Sequence, residues 1–403
     1  MKRLKYAVVL RRDRVEGLDQ NRPYVGLEHI ESGTGRLLSP KGTGARIEET
    51  PATPSESLCN TFEPGDVLFG KLRPYLAKAW VAEFSGRCTT ELLVMQPVDF
   101  EPRFLRYICI SRSFIDAVDA STFGSKMPRA DWDFIGNMPV PLPLVSQQRT
   151  IADFLDRRAA KLDALVEAKQ RLLGLLADKR QEITTRAVTC GLNPDARFRD
   201  SGISWLAQIP AHWETRRIAW LFRDRDERCE PELPLLEVSI NSGVVMREFS
   251  NDRIESTAED FNTYKVARKG DVVFNKMRMW QGAVGIAPED GLVSPDYTVA
   301  APVGTLSPEY AELLFRTEMF SAECARHSHG IVWDRLRLYW EGFRDIVVPL
   351  PPLPEQRAIV AYISTETAKL EGLREAAERA IGLLKERRSA LISAGVTGQI
   401  EVN

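Results

Sequence analysis

The stretch GDVLFGKLRPY, from Gly65 to Tyr75, returns as GDVVFNKMRMW from Gly270 to Trp280, at an offset of 205 residues. The same offset carries Gly86 to Gly291, Glu91 to Asp296 and Pro97-Val98 to Pro302-Val303. Farther along, Pro141-Leu142-Pro143, Gln148-Arg149 and Ile151 recur as Pro349-Leu350-Pro351, Gln356-Arg357 and Ile359, now 208 residues on, and Ala187-Val188-Thr189 meets Gly395-Val396-Thr397 at that same offset. One short insertion between Val303 and Phe343 reconciles the two offsets, and a weaker echo joins Arg3-Leu4-Lys5-Tyr6 to Arg217-Ile218-Ala219-Trp220. Self-similarity at a fixed period sets the architecture before any single element is assigned. The 403-residue chain therefore reads as two copies of one unit, each a mixed α/β part followed by a helical part.

Composition agrees with a folded chain. Hydrophobic residues make up 44% and charged residues 27%, with 54 basic against 56 acidic side chains, inside the globular range and outside the disordered one. No run of about 18 apolar residues exists to cross a bilayer, and the start MKRLKYAVVLRRDR returns to charge too soon for a secretory segment. The six cysteines, Cys59, Cys88, Cys109, Cys190, Cys229 and Cys324, form no C-x-x-C pair, so neither a disulfide framework nor a zinc knuckle is indicated. A reducing cytoplasm is the expected location.

Within the mixed parts, β-branched and aromatic runs bounded by Gly and Pro predict strands at Asp66 to Gly70, Leu92 to Gln96 and Ile135 to Val140, and at Asp271 to Asn275 and Thr298 to Ala301. The Pro-rich exits, Pro139 to Pro143 and Pro349 to Pro354, mark where sheet ends and helix begins. The helical parts carry seven-residue repeats: Leu155, Leu162, Lys169, Leu176 and Ile183 with Leu165 and Leu172, then Ile363, Leu370, Ala377, Leu384 and Leu391 with Leu373 and Ala380. Such seams predict a coiled coil. Paired antiparallel, the helices form a rod on the order of 50 Å long, and Lys169 falls opposite the small Ala377. The expected fold is α+β, with two pseudo-repeated mixed domains, 1–146 and 191–354, separated by a two-helix coiled coil built from 147–190 and 355–403.

Two similar heads held at fixed separation suit a ligand with two sites, and half-sites on DNA recur about one helical turn, roughly 34 to 36 Å, apart. Overall charge gives this no support, because the segment 191–354 holds 19 basic and 25 acidic residues. Any DNA surface has to be local. Candidates are Lys71, Arg73 and Tyr75, expected to alternate along an extended segment, with their counterparts Lys276, Arg278 and Trp280. A second cluster precedes the Pro-rich exits: Ser125, Lys126 and Arg129 in the first copy, Trp333, Arg335 and Arg337 in the second. Arginine and lysine reach phosphates and also the O6 and N7 acceptors of guanine.

Several other patterns are set aside. GDVLFGKL from Gly65 to Leu72 departs from a phosphate-binding loop where Leu72 replaces the hydroxyl residue, and Asn275 stands at the Gly70 position of the other copy. Cys324, His327 and His329 lack a fourth ligand. Glu167-Ala168-Lys169 sits within the heptads, and no nucleophile elbow, zinc-protease or dinucleotide motif occurs. The chain is expected to perform no catalysis alone and to hold no metal or cofactor.

The order PLPLVSQQRTIADFLD, AVTCGLNP, SGISWLAQIPAHW, PLPPLPEQRAIVAYI and SAGVTG closely resembles the specificity subunits of type I restriction-modification systems over essentially the whole chain. That resemblance implies that each head reads one half of a split DNA target and that the helices run antiparallel and dock two methyltransferase subunits. It also implies that S-adenosylmethionine, ATP and Mg belong to the methyltransferase and restriction/translocase partners. By the same resemblance, Gln148-Arg149 and Gln356-Arg357 lie at the helix starts, near those partners. A two-headed protein-binding scaffold with no DNA specificity is the alternative, favoured by the acidic second head. The rod makes a metrical prediction: deleting one heptad from each helix shortens the preferred spacer between half-sites by roughly 3 base pairs, since about 10.5 Å is lost at 3.4 Å per pair. Binding competition among duplexes of graded spacer length tests it, and an unchanged optimum counts against the rod as a ruler.

Overall fold

The computed structural model describes residues 1–15, 22–38, 58–124, 126–228, 230, 232–247, 261–330 and 336–400. The chain divides into two compact units: Met1–Arg171 together with Ala377–Asn403, and Leu172–Ala376.

In the first unit the strands Val8–Leu10, Leu92–Pro97, Val67–Gly70 and Ala79–Val81 lie side by side in that order, all antiparallel. A second sheet runs Arg14–Val15, Cys59–Phe62, Gly86–Thr89 and Tyr24–Val25, its last pair parallel. Side chains alternate across a strand, and here both faces are apolar. Val67, Phe69, Leu93 and Met95 enter one core with the helices Pro102–Ile110 and Arg112–Ala120, while Leu68, Leu92 and Val94 enter another with Phe62, Trp80 and Cys88. A strand covered on both sides reads as a continuous apolar run, as VLF does.

The second unit builds the same four-strand order from Phe222–Asp224, Tyr297–Pro302, Val272–Asn275 and Val284–Ile286. Val272, Phe274 and Ala300 face the helices Pro308–Phe315 and Glu318–Arg326, and Val273 and Val299 face the other way. The weak echo at the amino terminus has a structural counterpart: Leu4 N–H donates to Met138 O at 3.0 Å, and Ile218 N–H to Ile346 O at 2.9 Å.

The shared Gly-Asp pair is a turn rather than a phosphate loop. Gly65 and Gly270 have φ of 88° and 90°, a left-handed conformation that glycine adopts without steric cost. The next residue, Asp66 or Asp271, is buried. Asp66 accepts the Glu63 N–H at 2.8 Å and the Arg11 Nε–H at 2.9 Å; Asp271 accepts the Arg268 N–H at 2.9 Å and the Arg225 Nε–H at 2.7 Å. One strand expectation needs correction: Ile135 lies in the short helix Trp132–Asn137, and the strand is confined to Pro139–Val140. Asp131 caps that helix by accepting the Asp133 N–H, and the cap overrides the local apolar run.

Two long helices, Val145–Cys190 and Leu353–Thr397, leave the mixed parts. In the first unit Gly395 packs against the Leu155 side chain and Arg388 Nε lies 2.9 Å from Asp163 Oδ1. In the second unit Val188 shares a core with Ile359 and Ile363, and Arg180 and Thr184 share a cleft with Ser364 and Thr367. In each unit, numbers rise along one helix as they fall along the other. The heptad phase differs from the sequence expectation. Leu165, Leu172 and Leu373 are 51%, 37% and 55% exposed, and in the first helix the residues four places after Leu155, Leu162, Lys169 and Ile183, namely Ala159, Val166, Leu173 and Ala187, turn inward, while Arg180, four places after Leu176, is exposed. Adjacent pairs such as Leu165-Val166 and Leu172-Leu173 offer two stripes at nearly equal spacing, and packing selects one.

Gln148 and Gln356, expected to face partners, are fully buried and act as structural clamps. The Gln148 amide accepts the Glu101 N–H at 2.8 Å and donates to Asp99 O at 3.0 Å and Pro143 O at 2.9 Å. Gln356 repeats this with Ser307 N–H at 2.7 Å, Thr305 O at 3.0 Å and Pro351 O at 2.8 Å. Each amide therefore fastens a long helix to the loop that opens a shorter one. Gln148→Ala or Gln356→Ala strands buried donors and acceptors and is expected to cost about 2 to 4 kcal/mol. Denaturant titration measures this, and a loss below about 1 kcal/mol would show the clamp to be dispensable.

Candidate nucleic-acid interface

In the first unit the strand ends at Gly70, and the Lys71 backbone is held on both sides, its N–H on Glu91 O at 3.0 Å and its carbonyl on Ala130 N–H at 2.9 Å. Arg73 then turns left-handed, at φ 52° and ψ 60°, and Pro74–Leu76 forms a 3-10 turn. The expected alternation of Lys71, Arg73 and Tyr75 is thus corrected: Pro74 fixes φ and ends the extended run. The structure also separates the set. Lys71 lines a cleft with Arg129, whereas Tyr75 lines another with Glu31, Arg36 and Glu167. In the second unit Asn275 ends the strand and Met279–Gln281 makes the corresponding 3-10 turn. Lys276 donates to Pro295 O at 3.0 Å, and burial, with Lys265 close by, pushes its ammonium pKa down. Trp280 donates its indole N–H to Met277 O at 3.0 Å, and Arg278 is exposed.

A small ladder stands beside each turn. Phe123 and Arg129 exchange backbone hydrogen bonds of 3.2 and 3.1 Å, and His329 and Arg337 exchange two of 2.9 Å. The next residue on, Ala130 or Leu338, donates to Lys71 O or Lys276 O, at 2.9 Å in both units. The side chains then diverge. Arg129 forks onto Glu91, Nε to Oε2 at 3.1 Å and Nη2 to Oε1 at 2.9 Å. Asp296 takes the Glu91 position in the second unit, one methylene shorter, and among the described residues the exposed Arg337 has no ion-pair partner. Lys126 is exposed; Ser125, Trp333 and Arg335 lie outside the described residues.

The cleft of the first unit, about 600 Å³ and open to solvent, brings Lys71 and Arg129 together with Arg12, Arg14 and Phe123. The last three escape sequence reasoning, although the RRDR run holds the signal. Arg11 binds Asp66 and lines the same cleft as Arg12 and Arg14, which lie past the end of the strand Val8–Leu10. In the second unit the matching register places Asp226 where the first has Arg12, and Arg228 where it has Arg14. Asp226 is occupied by Arg228 at 3.0 Å and Lys265 at 3.3 Å. Burial raises the pKa of the nearby Asp224 carboxyl against the pull of Lys265. The first unit thus offers a cleft in which Arg11, Arg12, Arg14, Lys71 and Arg129 outnumber the carboxylates of Asp131 and Asp133, and the second a mixed set of charges.

Cys324 is buried, which pushes its thiol pKa well up, and the His327 Nε2 lies 3.3 Å from Glu323. Among the described residues no group of three His, Cys, Asp or Glu side chains is placed to hold a metal ion. Glu167 pairs with Arg36 at 3.0 Å. Arg149 and Arg357 are exposed near the starts of the long helices. None of the described helices is long and apolar enough to cross a membrane.

No protein-family model matches the chain. A curated relative, the type I restriction enzyme EcoDI specificity subunit of Escherichia coli, is 21% identical over 372 residues, covering 84% of this chain and 79% of the relative. The EcoBI specificity subunit of the same organism is 21% identical over 363 residues, covering 84% and 74%. Over most of its length the chain is thus similar to type I restriction enzyme specificity subunits. Solved structures show a likeness of fold. The HsdS subunit from Thermoanaerobacter tengcongensis is 20% identical, with a TM-score of 0.52 and coverage of 99% of this chain and 96% of that one. A chain from a structure of the assembly and conformational transition of the type I restriction-modification system reaches 0.66 at 20% identity, covering 99% and 97%.

Proposed function

We propose that the chain is the sequence-reading subunit of a type I restriction-modification assembly, each unit reading one half of a split DNA target. The observation that carries this is the duplicated frame. Two units of one strand order each set a turn after the Gly-Asp strand beside a ladder, and each ladder holds an arginine at the same place, Arg129 or Arg337. The likeness to specificity subunits supports the same reading.

In this reading the long helices keep the half-sites in register and dock methyltransferase and restriction subunits. Arg149 and Arg357 and the exposed Leu165, Leu175, Leu373 and Leu383 are the groups offered to those partners. The chain itself is non-catalytic, with S-adenosylmethionine, ATP and Mg on the partners, and it works in the cytoplasm, where its DNA is. Phosphate contacts position a protein on the duplex and base contacts specify the sequence. Arg12, Arg14 and Lys71 are assigned to the first role, and Arg337, exposed and unpaired among the described residues, to the second. Lys126, Arg73 and Arg278 extend the basic surface, and Arg129, forked on Glu91, stiffens its ladder.

Co-expression with the methyltransferase partner followed by genome-wide mapping of methylated adenine tests the proposal: a split motif marked on both strands is expected. No new mark, or a mark without sequence preference, returns the chain to the scaffold reading that the acidic second head favours. Two finer outcomes follow. Arg12→Ala with Arg14→Ala weakens binding uniformly and lowers the salt slope by about one for each phosphate no longer neutralised. Arg337→Ala costs about 1 to 3 kcal/mol and relaxes one position of one half-site. Competition with duplexes altered in one half at a time separates the two, and equal losses on every sequence would move Arg337 to the phosphate class.

A further inference from the structure

The basic cleft of the first unit contains an apolar side chain that phosphate binding leaves unexplained. Phe123 is 64% exposed and Met127, on the same hairpin, is 51% exposed. Scattered exposed apolar residues are ordinary on protein surfaces, but this one is held in place. The Phe123 backbone is locked to Arg129 in both directions, Arg129 is forked on Glu91, and Arg73 N–H holds Pro128 O at 2.8 Å. Leu72 pairs with Arg129 from the other side. Directly opposed residues of an antiparallel ladder share a face, so Phe123 stands on the same face as Arg129, and it lines the cleft with Arg12, Arg14 and Lys71. An aromatic ring on a fixed backbone, in a cleft where cations outnumber the carboxylates of Asp131 and Asp133, complements one feature of duplex DNA. In the major groove thymine presents its 5-methyl group, the only apolar mark that a base pair offers there.

We infer that Phe123, with Met127 on the same hairpin, is a specificity-determining residue that reads the 5-methyl of a thymine in the half-site bound by the first unit. The inference rests on the DNA-recognition reading above and adds which chemical mark is read and by which unit. Among the described residues the second unit does not repeat the device: His329 occupies the same ladder position opposite Arg337. An imidazole hydrogen-bonds to a base edge, where a phenyl ring makes apolar contact, so methyl dependence belongs to one half-site only.

The test uses the full chain in complex with its methyltransferase subunits and duplexes carrying the mapped target. Each thymine is replaced in turn by 2′-deoxyuridine, which removes only the methyl group. At one position, in one half-site, the replacement is expected to weaken binding by about three- to fivefold, the worth of one buried methyl. Phe123→Ala erases the difference between thymine and uracil at that position, and Phe123→Leu, which keeps an apolar side chain, preserves it. Uracil in the other half-site gives the same result with either residue 123 variant as with the unaltered chain. Target methylation by the Phe123→Leu complex shows that the hairpin still folds. Equal losses on thymine and uracil duplexes in Phe123→Ala would make the ring a wedge between base steps and overturn the methyl assignment, as would a half-site with no A·T pair. Selective binding that ignores every uracil overturns the role of Phe123 alone. Absence of any sequence-selective binding by the unaltered complex overturns DNA recognition itself.

Discussion

A carboxylate withdrawn from water at the head of a strand has to be met by a cation and by backbone donors, or it is not tolerated there. Asp66 and Asp271 are in that position, and Arg11 and Arg225 meet them. In both units the pairing ties the segment after an edge strand to the Gly-Asp turn, and in the first unit Arg11 lines the same cleft as Arg12 and Arg14.

The strands behind these turns are covered on both faces, and the position of Leu68 between Val67 and Phe69 in opposite cores shows why they tolerate little change. From such sheets the chain leaves by proline-rich exits into the long helices, and a buried glutamine amide at each exit ties the helix start to two neighbouring loops. Helix orientation is thus set by hydrogen bonding at the root as well as by apolar packing along the shaft.

Much of this was legible in the sequence because duplication writes each constraint twice. The Gly-Asp strand, the proline exits and the two long helices all repeat with little change. What escaped was whatever depends on a partner that is distant in sequence. Leu165 and Val166 are equally apolar, and only packing shows that Val166 turns inward. Ile135 belongs to a β-like run until Asp131 caps it into a helix. Gln148 has the polarity of a surface residue, and its burial follows from carbonyls at Asp99 and Pro143 that no local pattern announces. At the candidate site, Lys71 and Arg129 were accessible as basic residues near turns, whereas Tyr75 was assigned to the wrong face because an alternation was extended across Pro74. Arg12 and Phe123 escape a reading of the sequence because the cleft that they line is assembled from distant segments.

The composition of the first unit has a consequence for how the molecule comes into being. Leu155 shares its core with Ile392 and Val396, which leave the ribosome roughly 240 residues later, whereas Leu172–Ala376 is one uninterrupted stretch. A nascent chain can therefore complete the body Leu172–Ala376 while the apolar stripe around Leu155 still waits for Ile392 and Val396. Apolar surface exposed in such an interval is open to aggregation and to chaperone capture.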